Sequence, residues 1–216
     1  MKGEYVKRYF RHPGTVSNWW DLDDKPDWLR KIFEKKHFFV RKLFDPRGKV
    51  VLDAGAGKGR FAIDFALAGA KQVFALDISG EMLQIAKEKA RKAGVLEKIT
   101  FITGDAENLN LRDNIFDASV CIGTFVHLPN PHKAAAELTR VTKPNGEILA
   151  DVTTTLKSTV QMKLSTFENK AIVRHMSIDE FQHLFTENGL KIVKTVEWIP
   201  WKTMKNYIIS AKNSKF

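Results

Sequence analysis

A single cysteine, Cys121, in 216 residues excludes an internal disulfide and leads us to expect a cytoplasmic protein. No run of about 18 apolar residues occurs, so the sequence predicts no membrane-spanning helix. The opening residues Met1-Lys2-Gly3-Glu4-Tyr5-Val6 lack the apolar centre of a secretory leader. Six histidines and one cysteine never fall together at metal-ligand spacing, so metal-dependent chemistry is not expected. There is no internal repeat, low-complexity tract or linker, and one domain over 1–216 is predicted.

What is abundant is positive charge. Lysine and arginine number 35 against 25 acids, giving a net charge of +10 and a pI of about 9.6. A solvated, lysine-rich surface accounts for this balance, and RNA or an acidic substrate remains open as a partner. Hydrophobic content of 44% is that of an ordinary globular chain.

The chain is organised around Val50-Val51-Leu52-Asp53-Ala54-Gly55-Ala56-Gly57-Lys58-Gly59-Arg60-Phe61. Three apolar residues read as a strand buried on both faces, and Phe61, Ala62, Phe65 and Ala66 as one helix face. Strand, glycine turn and helix open a nucleotide-binding α/β unit. A dinucleotide fingerprint would place its third glycine where Arg60 stands. Asp53, just before the turn, would repel a pyrophosphate, so a cationic cofactor without phosphates suits the loop better.

Further elements follow in order. A helix is expected from Pro26 to Phe44, and residues 1–24 read as irregular, with Trp19 and Trp20 a conceivable flap. Strands are expected at 72–77, 99–103, 116–122 and 148–152, each followed by helical or turn patterning. Ser79 and the pair Asn130-Pro131 read as helix starts, and Ser177-x-x-Glu180 as a capping box. Leu190–Trp198 and Asn206–Ala211 read as two closing strands joined by residues 199–205. Between Thr153 and Met176 the periodicity dissolves, which suggests a lid segment with a short helix over 159–167.

Four motifs together resemble the class I S-adenosylmethionine-dependent methyltransferases. They are Val51-Leu52-Asp53-x-Gly55-x-Gly57, Asp77-Ile78-Ser79-x-x-Met82-Leu83, Gly104-Asp105-Ala106 and Arg140-Val141-x-Lys143-Pro144-x-Gly146. His127-Leu128-x-Asn130-Pro131 is similar to the ubiquinone/menaquinone-type small-molecule enzymes. The resemblance implies an α/β, Rossmann-like seven-stranded mixed sheet of order 3-2-1-4-5-7-6, strand 7 antiparallel, with helices on both faces. It divides the chain into an N-terminal helical cap (1–48), a core (49–212) and the lid (153–176).

It also implies S-adenosylmethionine as cofactor, with S-adenosylhomocysteine as product. By position, Asp53, Ala54, Gly55 and Gly57 would meet its methionine end, Asp53 through the ammonium. Asp77 would accept the ribose hydroxyls, Ile78 and Met82 would flank adenine, and Asp105 with Ala106 would meet the adenine edge. Main chain near Cys121 would meet the methionine portion; the thiol itself reads as core.

Methyl transfer from a sulfonium needs alignment, exclusion of water and, for some acceptors, removal of a proton. His127, leaving the fourth strand, is the candidate base, with a structural role as the alternative; His132, Tyr9, His12, His175 and Asp151 are weaker candidates. Trp19, Trp20, Met162, Phe167, Met176 and Trp201 favour a small flat or apolar acceptor. A tRNA or other RNA acceptor is one alternative, and a non-catalytic, cofactor-binding regulatory protein another. The atom methylated and the oligomeric state are not legible.

Overall fold

The computed structural model describes residues 2–11, 27–155, 176–201 and 204–214. The expected flap (Trp19, Trp20), the helix over 159–167, and nearly all of the lid lie outside these residues, as do His12 and His175. Two helices, α1 (Lys2–Arg11) and α2 (Asp27–Leu43), precede the sheet. The first corrects the reading of residues 1–24 as irregular. Tyr5, Val6, Tyr9 and Phe10 recur at intervals of three and four, a short helical stripe hidden by the lysines and arginines between them.

The core is a doubly covered sheet. Its strands are β1 (Val50–Ala54), β2 (Gln72–Asp77), β3 (Ile99–Thr103), β4 (Phe116–Cys121), β5 (Thr142–Thr155), β6 (Leu190–Trp201) and β7 (Met204–Asn213). Their order is β3-β2-β1-β4-β5-β7-β6, with β7 antiparallel to both neighbours and the other pairings within β1–β5 parallel. This is the topology the motifs imply. The helices α3 (Arg60–Leu67), α4 (Gly80–Lys92), α5 (Pro131–Val141) and α6 (Ile178–Thr186) supply the crossovers.

Alternation along β1 sends Val51 to one face and Leu52 and Ala54 to the other. Val51 joins Val40, Phe44, Phe65 and Ala62 beneath α2 and α3. Leu52 and Ala54 join Phe116, Phe125, Leu138, Phe181 and Phe185 beneath α5 and α6. Phe125, Phe181 and Phe185 meet edge to face, with centroids 5.1–5.6 Å apart. Each such ring, withdrawn from water, contributes about 1.5–3 kcal/mol.

The predicted helix starts are present. Ser79 accepts from Met82 N, Asn130 from Lys133 N with Pro131 at the first helical position, and Ser177 forms a complete capping box with Glu180. Two boundaries differ. The closing strands run on to Trp201 and Met204, because a twisted antiparallel pair continues pairing through a shift between Trp198 and Trp201. Strand β5 begins at Thr142, directly after α5, instead of at Ile148.

Residues 143–146 form an extra loop between the pairs Phe116↔Thr142 and Ala118↔Glu147. This explains the motif Arg140-Val141-x-Lys143-Pro144-x-Gly146 structurally. Arg140 holds the carbonyls of Leu109 and Leu111 and the carboxylates of Asp113 and Glu137. Lys143 reaches Asp117, whose second oxygen accepts from Val50 N at 2.8 Å. Gly146 is wedged so tightly that a Cβ would lie 2.6 Å from Thr142 Cγ2 and 2.8 Å from Lys143 O.

Gly146→Ala is therefore expected to lower stability by about 1–3 kcal/mol in urea unfolding. Gly80→Ala, whose Cβ would meet only Thr103 Oγ1 at 3.7 Å, should be neutral or slightly stabilising in the same assay.

Candidate functional site

The carboxyl ends of β1, β2, β3 and β4 open on one side of the sheet, at the switch where the chain order reverses between β1 and β4. The turn after β1 holds Gly55 at φ 82°, and a side chain there would also strike Thr124 Oγ1 at 2.1 Å. Gly59 caps α3 and lets it approach α4, where an added Cβ would lie 2.8 Å from that of Ala86. The third glycine thus works one residue earlier than in the dinucleotide pattern, which frees the next position for Arg60.

Acidic side chains mark the strand ends. Asp53 is 2% exposed, and one of its oxygens has no partner among the described residues. The backbone N–H of Ala62 in α3 donates to this carboxylate. Burial, with a smaller contribution from the charge of Asp77, pushes its pKa up to about 7. Asp77 accepts from Gly57 N at 2.8 Å and Ser79 N at 2.9 Å, and its burial likewise raises its pKa. Asp105 accepts from Glu107 N at 2.9 Å and from Lys7 Nζ of α1 at 2.6 Å.

Two lysines bring the N-terminal helices onto this rim. Lys7 also contacts Glu107 at 2.6 Å. Burial opposes its charge, yet the hydrogen bonds to Asp105 and Glu107 raise its pKa overall. Lys36 of α2 lies 2.7 Å from Asp151, a β5 residue only 2% exposed, whose other oxygen accepts from Gly123 N.

Of these groups Lys7, Lys36, Asp77 and Asp105 line a cavity of about 220 Å³. Eight of the residues singled out from sequence line it together: Gly55, Gly57, Asp77, Ile78, Met82, Asp105, Ala106 and His127. Asp53, Ala54 and Cys121 are not in its lining. Ala54 and Cys121 belong to the core beneath α5 and α6, and burial drives the Cys121 thiol well above its ordinary pKa. Asp53 lies under the glycine turn with its unpaired oxygen.

His127 ends a short 3-10 turn, Phe125–His127, with its ring 4.9 Å from that of Phe10. The weaker base candidates are placed elsewhere or engaged. His132 pairs with Glu187 at 2.6 Å on the outside of α5, and Asp151 is held by Lys36 and Gly123. Tyr9 is not in the cavity lining.

Sequence reasoning missed Lys7 and Phe10 from α1, Phe33 and Lys36 from α2, and Thr124. One signal was available: Phe33, Lys36, Val40 and Phe44 follow helical spacing, with a lysine among apolar residues.

Residues 52–150 match the family model for a methyltransferase domain. A ubiquinone/menaquinone biosynthesis C-methyltransferase, UbiE, of Brucella abortus is 36% identical over 104 residues, 47% of this chain and 39% of that protein. Just under half of the chain is thus similar to known methyltransferase domains. It spans about two fifths of the length of the UbiE relatives it matches. The methyltransferase GfsG of Streptomyces halstedii is 27% identical over 154 residues, 69% of this chain and 55% of that protein.

Among solved structures, an S-adenosylmethionine-dependent methyltransferase from Mesorhizobium loti superposes with a TM-score of 0.65 at 18% identity. The match covers 81% of this chain and 95% of that one. The [4+2]-cyclase SpnF superposes at 0.72 and 18% identity, covering 89% and 84%. A cyclase on this fold shows that the fold alone does not select the reaction.

Because Asp53 is ionised more easily in the unfolded chain than in the folded one, stability falls as pH rises from about 4 to about 7. Asp53→Asn removes this loss. In ligand-free urea unfolding the variant should gain on the natural chain by an amount on the order of 4 kcal/mol at pH 8. That gain should shrink below pH 7 and vanish near pH 4.

Proposed function

We propose that this chain transfers the methyl group of S-adenosylmethionine to a small-molecule acceptor. The observation that carries the reading is the buried carboxylate of Asp53, one oxygen unpaired, beneath a glycine turn that leaves room for a ligand. A buried, unsatisfied acceptor costs about 1–3 kcal/mol unless a donor reaches it. The cofactor's ammonium is such a donor, and it carries the charge that Asp53 lacks a partner for. Asp77 and Asp105 line the cavity itself and would supply acceptors for ribose hydroxyls and an adenine edge. The residues therefore fit the cofactor.

When bound, S-adenosylmethionine supplies a methyl group on a sulfonium, whose departure as a neutral thioether needs no acid. Asp53 would fix the amino-acid portion and Asp77 would hold the ribose, while the bonds of Asp77 to Gly57 N and Ser79 N keep the turn in shape. Ile78 and Met82 give the cavity apolar walls. His127 takes a proton from the acceptor at an imidazole nitrogen, with Phe10 packed on its ring. Phe10, Phe33 and Phe61 exclude water from the same space. Relatives named for ubiquinone/menaquinone biosynthesis support a small-molecule acceptor.

S-adenosylhomocysteine is expected to bind at one site per chain in calorimetry, and Asp77→Ala to weaken it by about 1.5–3 kcal/mol. With methyl-labelled cofactor, label should enter the low-mass fraction of a metabolite extract. Stoichiometric label at one position of unmodified tRNA at physiological salt would reverse the acceptor class. Tight cofactor binding without transfer to any pool would favour the regulatory reading. His127→Ala should slow transfer about 10²–10⁴-fold and leave cofactor affinity nearly unchanged. Full activity in that variant would remove the base assignment.

A further inference from the structure

The cavity's cations are not equivalent. Lys7 is neutralised by Asp105 and Glu107, and Lys36 by Asp151. Arg60 also lines the cavity, but among the described residues its guanidinium makes no hydrogen bond and no ion pair. The carboxylate nearest in influence, Asp64, is already engaged by His37 at 2.9 Å and Arg41 at 2.8 Å.

The position is unfavourable for a cation in two ways. Arg60 is the first residue of α3, where the helix dipole opposes positive charge. It is also half-buried, and burial lowers its pKa. Within the chain the return is a stacking contact, the guanidinium carbon lying 4.9 Å from the ring centre of Phe33. That contact directs the planar fork toward α2, which lies outside the residues matched by the family model. The glycine turn, Gly55 to Gly57, lines the same cavity.

We propose that Arg60, braced by Phe33, recognises the acceptor through a carboxylate, so that the acceptor is a small aromatic acid. A guanidinium presents two parallel N–H donors matched to the two oxygens of a carboxylate. Phe33, Phe61 and Phe10 line the same cavity and offer apolar faces to a flat ring. Lys36, one helical turn beyond Phe33, is neutralised by Asp151, and Lys58, which also lines the cavity, is engaged as well. This assignment rests on the methyl-transfer reading of the cavity.

The test uses the full chain saturated with S-adenosylhomocysteine and sodium benzoate as the probe, followed by ligand-observed NMR. The natural chain is expected to bind benzoate, and Arg60→Gln to weaken that binding at least tenfold. Arg60→Lys should recover part of the loss, since it keeps the charge without the fork. Affinity for S-adenosylhomocysteine should be unchanged in both variants. Undiminished benzoate binding in Arg60→Gln, or none in the natural chain, overturns the proposal. So does a tenfold loss of S-adenosylhomocysteine affinity in Arg60→Gln with 5′-methylthioadenosine unaffected, because the carboxylate served is then the cofactor's own. If neither nucleoside binds the natural chain, the methyl-transfer reading fails and takes this proposal with it.

Discussion

Negative charge held out of water at the open ends of parallel strands is the constraint around which this molecule is arranged. Asp53 and Asp77 sit at the ends of β1 and β2 and Asp151 within β5, with Asp53 and Asp151 almost sealed from solvent and Asp77 partly so. Such charges persist only when donors reach them. The backbone supplies most of these donors: Ala62 N, Gly57 N, Ser79 N and Gly123 N. The glycine turn, the starts of α3 and α4, and the exit from β4 therefore take their shapes partly from the carboxylates they surround. Asp151 needs more than one amide, and Lys36 anchors α2 to the sheet in supplying the rest. Asp53 alone keeps an oxygen in reserve.

Local chemistry made much of this legible in the sequence. Asp77 could be read as a site residue because a strand, a carboxylate and a helix cap at Ser79 follow one another within a few positions. The same holds for Asn130-Pro131 and for the capping box at Ser177, where neighbours satisfy one another. Arg60 was visible as a departure from the dinucleotide pattern, although its contact with Phe33 was not. That contact joins residues far apart in the chain, and no short-range spacing encodes it.

The parts that were hidden share this long reach. Lys7 meets Asp105 across 98 positions, and nothing near Lys7 distinguishes it from the other lysines of a basic chain. The helical character of α1 was masked for the same reason, since its apolar stripe is short and its remaining residues are mostly charged. Strand β5 misled in another way. Pro144-Asn145-Gly146 has turn chemistry, and it does turn, but inside a strand whose pairing to β4 resumes after the loop. Asn145 adopts a positive φ of 62° there, so the local reading was sound and the boundary was not.

The reversed strand β7 has a consequence for how the chain comes together. In the finished sheet β5 is an interior strand, flanked by β4 and β7. Its pairing on one side, however, joins Glu147–Thr155 to Met204–Lys212, about 50–65 positions later. While the chain is being synthesised, β5 can settle on β4 well before its other neighbour exists. For that interval it is a long unpaired edge, the kind that recruits strands from other molecules. Asp151, in the middle of that edge, is a charge that such a foreign strand would have to bury unpaired unless α2 had already delivered Lys36. The carboxylate that Lys36 holds in the folded protein thus disfavours wrong partners in the half-made sheet for as long as it is unpaired.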